Sequence, residues 1–200
     1  MFALRTSDGA FAALKGVVIQ DAAGVCGLTR DPLGDDGEVD HSVELAVVND
    51  VAEYAFKGAP AAAQNHAARV LTEVCNARSN LRALSRAAHS EKSNMMKRLR
   101  RDLKSALKDK RPVAALAALN AAVEPGLDAT ALRTVQHDHR ALAATIDTIA
   151  SDGGEGALDQ CARGLRVVAD VLRAIVADEF SHLWSPSGDA TVVRTHAKQS

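Results

Sequence analysis

Residues 61–111 contain neither glycine nor proline. A run of that length lacks the two residues that most readily interrupt regular backbone, and its apolar positions show which regular form it takes. Val70, Leu71, Val74, Ala77, Leu81, Leu84 and Ala88 follow steps of mostly three or four, which is the period of one helix face. The run therefore predicts one long helix or two in series. Ser90, Ser93 and Asn94 cap helices better than they propagate them, so the expected break lies near His89 to Asn94.

The same period recurs on either side. Val43, Val47, Val48, Val51, Tyr54 and Ala55 predict a helix over 38–57, stopped by Gly58 and Pro60. Pro112 suits the first turn of a short helix through Val123, and Glu124, Pro125 and Gly126 end it. Asp128 or Thr130 can cap a helix to about Ala150, with Leu132, Val135, His139, Leu142, Ile146 and Ile149 on one face. A glycine-rich turn over 151–156 leads into a last helix carrying Leu158, Cys161, Leu165, Val168, Leu172, Ile175, Phe180 and Leu183. So short a link makes these two helices antiparallel neighbours.

Residues 1–37 are expected to be irregular: Phe11, Leu14, Val17 and Val18 can line one short helix, after which Gly24, Gly27, Pro32, Gly34 and Gly37 intervene. The expected class is all-α, an antiparallel bundle of about five helices over 38–184, with a tail over 185–200. Composition agrees. Aromatic residues are only 3% of the chain while apolar residues are 47%, which favours helices packed on small side chains over a sheet rich in branched and aromatic residues.

The N-terminal apolar residues are interrupted by Arg5, Asp8 and Gly9 before a signal-peptide core can form, and no long continuous apolar run follows. Cys26, Cys75 and Cys161 are odd in number and widely spaced, which fits a reducing compartment. The expectation is a cytoplasmic protein, or one exported without a cleavable signal.

A formal net charge of −1 conceals a segregation. Residues 1–60 carry 4 basic and 10 acidic side chains, residues 61–111 carry 13 and 4, and residues 112–200 carry 7 and 11. Within the basic middle, Lys97, Arg101, Lys104, Lys108 and Arg111 share one helical face, with Arg98 beside them. Met96, Leu99, Leu103 and Leu107 line another. A basic amphipathic helix of this kind fits an anionic partner: an acidic protein or an anionic membrane surface, with nucleic-acid phosphate less favoured because few aromatics are present to stack on bases. A homo-oligomer is also compatible. The plain alternative is a solvated face that pairs with the acidic flanks.

The acidic residues Asp31, Asp35, Asp36, Glu38 and Asp40 lack the order of an EF-hand loop. His137 and His139 are two apart on a helix and so point about 200° apart, too far to chelate one ion. No G-x-S-x-G, P-loop or dinucleotide fingerprint is present, and Cys75 and Cys161 lie on apolar stripes, so an enzyme finds no support here.

Two resemblances add alternatives. The stretches "HDHRALAATID" and "DEFSHLWSP" within 132–186 are similar to the second half of hemerythrin-like bundles, which implies iron held by histidines and carboxylates. The residues that carry this are Glu179 and His182; where that family has a histidine four residues before the glutamate, this chain has Ile175. His137, Asp138 and Arg140 resemble the phosphoacceptor helix of two-component histidine kinases and phosphotransferases, which implies phosphate acceptance at His137. The leading expectation remains a non-catalytic interaction or regulatory protein, without a cofactor, that binds through Lys97, Arg98, Arg101, Lys104, Lys108 and Arg111.

Overall fold

The computed structural model describes Phe2, Leu4 and residues 8–108, 127–152 and 157–176. Among these residues the chain forms six helices and one two-stranded sheet. The helices are α1 (Asp8–Asp21), α2 (Leu45–Ala55), α3 (Ala61–Cys75), α4 (Arg86–Ala106), α5 (Ala129–Ser151) and α6 (Ala157–Ile175). Strands β1 (Glu38–His41) and β2 (Leu81–Leu84) pair antiparallel, with Glu38 opposite Leu84 and His41 opposite Leu81. The architecture is mostly helical, as expected, and its helices pack on one another.

Helix α6 packs against α2, α3 and α5, while α4 lies against α2 and the two strands, and α1 covers the strands. Helices α5 and α6 run antiparallel: Arg173 reaches Asp147 at 2.7 Å, and Arg140 donates to the Val176 carbonyl at 2.9 Å. Helix α5 starts where the sequence places it, because the Asp128 carboxylate accepts the Ala131 N–H at 2.7 Å. The main core gathers Val47, Val51, Leu71, Leu103, Ile146, Leu172 and their neighbours; a smaller cluster of Val18, Leu33, Val39, Leu81 and Ala83 sits under α1. Gly164 on α6 allows the Phe56 ring to lie flat against that helix, since a Cβ there would overlap the ring.

The break in the 61–111 run falls earlier than expected. Helix α4 passes unbroken through His89 to Asn94, and the interruption is at residues 76–85. Two buried asparagines explain it. The Asn76 amide donates to the Leu4 and Thr72 carbonyls, and its oxygen lies 3.0 Å from His41 Nε2. Asn80 accepts the Val43 N–H at 2.9 Å and donates to the Cys75 and Val43 carbonyls. Side-chain amides thus take over backbone bonding that a continuing helix would supply, and the chain turns into β2. Ser85 then restarts helix by accepting the Ala88 N–H at 3.3 Å. The helix expected from Glu38 likewise begins only at Leu45, its first residues being β1. The short helix after Pro112 and the turn at 153–156 lie outside the described residues.

Candidate functional site

Helix α4 places its apolar side inward: Met95, Met96, Leu99, Leu103 and Ala106 are all buried. Lys97, Arg101, Lys104 and Lys108 are exposed, and Arg98 is half-buried. On the helix Lys97, Arg101 and Lys104 recur at four and three residues, a ridge of about 10 Å at 1.5 Å per residue, and Lys108 follows in the turn just past its end. Arg111 lies outside the described residues.

Two acids temper this ridge. Arg101 meets its neighbour Asp102 at 3.1 Å, and Lys104 Nζ lies 3.6 Å from Asp50. Asp50, only 8% exposed, is chiefly the partner of Arg100, which grips both of its oxygens. That bond holds the Arg100 guanidinium above its ordinary range. The carboxylate thereby ties α2 to α4 and fixes the roll of α4. Beside it, Glu44, Val47, Ser93, Met96, Lys97 and Arg100 line a cleft of about 130 Å³.

Further ion pairs bind the acidic N-terminal part to the basic middle. Lys92 is 0% exposed and reaches Asp40 at 2.6 Å and Glu44 at 2.7 Å. His89 lies 2.6 Å from Glu38 and 3.7 Å from Asp40, and Arg86 meets Asp36 at 3.4 Å. Arg82 on β2 grips both oxygens of Asp138 on α5 at 2.6 Å. Burial alone would push the Asp138 carboxyl up, but Arg82, with Ser42 and His137, holds it below the usual carboxylate value. Lys92 had a visible sequence signal: Ala88, Lys92, Met95, Met96, Leu99 and Leu103 share the buried stripe, and a lysine in that register must meet carboxylates.

His137 is outward, its side chain 79% exposed, with Nδ1 3.4 Å from Asp138. His139 is buried, as expected of a core histidine, and its Nδ1–H donates to the Val135 carbonyl at 2.8 Å. Burial lowers its pKa to about 4. Glu179 and His182, the residues of the iron reading, lie outside the described residues. Among the described residues no group of three or more histidine, cysteine and acidic side chains is arranged to hold a metal ion. Burial pushes the Cys75 thiol up to about 12 and raises that of Cys161. Cys26 differs: burial pushes it up as well, but bonds from the Thr29 hydroxyl and the backbone of Thr29, Ser85 and Leu28 outweigh that and lower its pKa. No described helix is long and apolar enough to cross a membrane. Comparison with family models, characterised proteins and solved structures returns no match.

Proposed function

We propose that this chain is a non-catalytic interaction or regulatory protein that docks the exposed ridge of α4 onto an anionic macromolecular surface, an acidic protein before others. The observation that carries this reading is the division of α4: its apolar side is engaged in the core while Lys97, Arg101 and Lys104, with Lys108 just past its end, face outward. That division bears on the partner. Helices that lie in a bilayer interface insert their apolar face, and α4 has none to offer without leaving the core. A protein surface carrying carboxylates asks only for charge complementarity and steering, which an exposed rim of cations supplies.

Retention of the protein on immobilised polyglutamate, on duplex DNA and on phosphatidylserine-rich vesicles tests this reading as salt is raised. The expected order places polyglutamate first, with binding weakened by salt and lost when Lys97, Arg101, Lys104 and Lys108 are all changed to Glu. Unchanged retention of that variant would reject the surface. Preference for vesicles or duplex would transfer the ridge to a different partner class.

One observation favours a second reading. The exposure of His137 suits a phosphoacceptor, and phosphate transfer from a small donor such as acetyl phosphate that persists in His137→Gln would remove it. The iron alternative is tested by metal analysis of untagged protein: a stoichiometric iron signal lost in Glu179→Gln and His182→Gln would displace the docking reading.

A further inference from the structure

Among the described residues three large apolar side chains stand exposed, and all three lie close together in the chain: Val17 and Ile19 on α1, and Val25 just after it. Helix α1 has apolar residues around most of its circumference, and among the described residues it packs mainly on the strands and Leu33, with Phe11, Leu14 and Val18. A helix of that character is ordinarily covered on more than one side. Val17 and Ile19, two apart, flank the buried Val18 on opposite sides of the helix, so of the three it is Val25 that borders a concave surface.

That surface is a cleft of about 190 Å³ between α1 and β2. Val18, Leu81 and Ala83 form its apolar floor, and Arg30, Arg78 and Arg82 stand around it. The loop that carries Arg30 is drawn close because Gly27 N–H donates to the Ala83 carbonyl at 2.8 Å, at a spacing where a Cβ on Gly27 would crowd Arg82. Arg82 is oriented by Asp138, and Arg78 by Asp21 and the Leu81 carbonyl. Arg30 pairs with no acid among the described residues. Its backbone has φ +66°, a left-handed conformation that non-glycine residues adopt at a cost.

We propose that this cleft, with Val25 at its edge, is a docking surface for a short acidic peptide of a partner protein, one apolar side chain seated on the Val18, Leu81 and Ala83 floor and a neighbouring carboxylate held by Arg30. Charge complementarity selects that occupant: of the three guanidinium groups around the floor, Arg78 is met by Asp21 and Arg82 by Asp138, which leaves Arg30 as the cation that no acid among the described residues offsets. Planar guanidinium forks match a carboxylate better than an amine or a neutral side chain. None of these residues lies on the α4 ridge, so the two surfaces succeed or fail independently.

Selection of a random octapeptide display library against the full chain tests the inference. The expected peptides carry Asp or Glu next to Leu, Ile, Val or Phe. Synthetic copies are expected to bind Arg30→Gly and Arg30→Glu at least tenfold more weakly and to bind the Lys97, Arg101, Lys104 and Lys108 variant normally. Glycine takes φ +66° without strain, so Arg30→Gly is expected to keep or raise the melting temperature while losing affinity, which separates recognition from folding. Failure to enrich peptides, or enriched peptides that bind Arg30→Gly as well as the parent, overturns the proposal. A dimer in sedimentation that Val25→Asp dissolves also overturns it, because a second copy would then be what covers this cleft.

Discussion

His139 makes the stability of this fold depend on pH in a window that ordinary carboxylates do not share. The ring is fully buried on α5, and its pKa is about 4 against 6.5 for an exposed histidine. Burial is the main cause; Lys92 adds to it, while the bond to the Val135 carbonyl and the charge of Asp138 oppose it. A folded value below the unfolded one means that the unfolded chain takes up the proton first. Stability is therefore full above pH 6.5 and is lost as pH falls toward 4. The shift of some 2.5 units corresponds to roughly 3 kcal/mol between pH 7.5 and pH 4 at 1.36 kcal/mol per unit. Asp138 contributes with the same sign, but its loss begins only below the ordinary carboxylate value of 3.8. His41, whose pKa burial also lowers, acts in the same window from a different site, so the wild-type curve alone does not isolate His139. Urea unfolding of the wild type and of His139→Leu at several pH values does. The variant loses the bond to Val135, so it starts about 1 kcal/mol less stable at pH 7.5 and then falls more slowly. The gap between the two closes and reverses on the way to pH 4. Parallel curves for the two proteins between pH 7 and pH 4 would refute the assignment of a buried neutral imidazole.

Other substitutions probe the remaining contacts. Lys92→Met leaves Asp40 and Glu44 without their shared cation and is expected to cost about 3–5 kcal/mol in chemical denaturation; adding Asp40→Asn and Glu44→Gln should restore most of it. Gly164→Ala is expected to cost about 1–3 kcal/mol because the new methyl meets the Phe56 ring, and Phe56→Leu in the same chain should reduce that cost. Thr29→Val removes the hydroxyl bond to the Cys26 thiol and is expected to raise the thiol pKa, read from thiolate absorbance across a pH series; an unchanged titration would show that the backbone donors suffice.

The helices were legible in the sequence wherever burial followed a single face. Leu132, Val135, Leu142 and Ile146 announce α5, and Asp128 announces its start. The strands were not legible, since four residues hold too few turns of any period to separate strand from helix, and Leu81 and Leu84 fit a helical stripe equally well. What decides the matter is Asn76 and Asn80, whose side chains bond to Leu4, His41 and Val43, partners distant in sequence. Long-range bonds of that kind leave no periodic trace. Of the candidate ridge, the spacing of Lys97, Arg101, Lys104 and Lys108 gave the shared face, but Arg100, three residues from Lys97 and four from Lys104, fits that spacing equally well and turns instead to Asp50.

That distinction also explains the charge segregation. The acidic N-terminal third and the basic middle are largely partners of each other: Asp36, Glu38, Asp40, Glu44 and Asp50 meet Arg86, His89, Lys92, Arg100 and Lys104 along one side of α4. These bonds act as a set of pins. A buried pair adds little net stability once the loss of hydration is counted, but it penalises any rotation of α4 that would separate Lys92 from its two carboxylates. A helix with cations on several sides is thereby held in one roll about its axis, with Met96, Leu99 and Leu103 inward and the ridge outward. If the pins were loosened by Lys92→Met, the ridge would keep its charge and lose its fixed direction. Binding to flexible polyglutamate would then survive, whereas binding to a folded acidic partner would weaken.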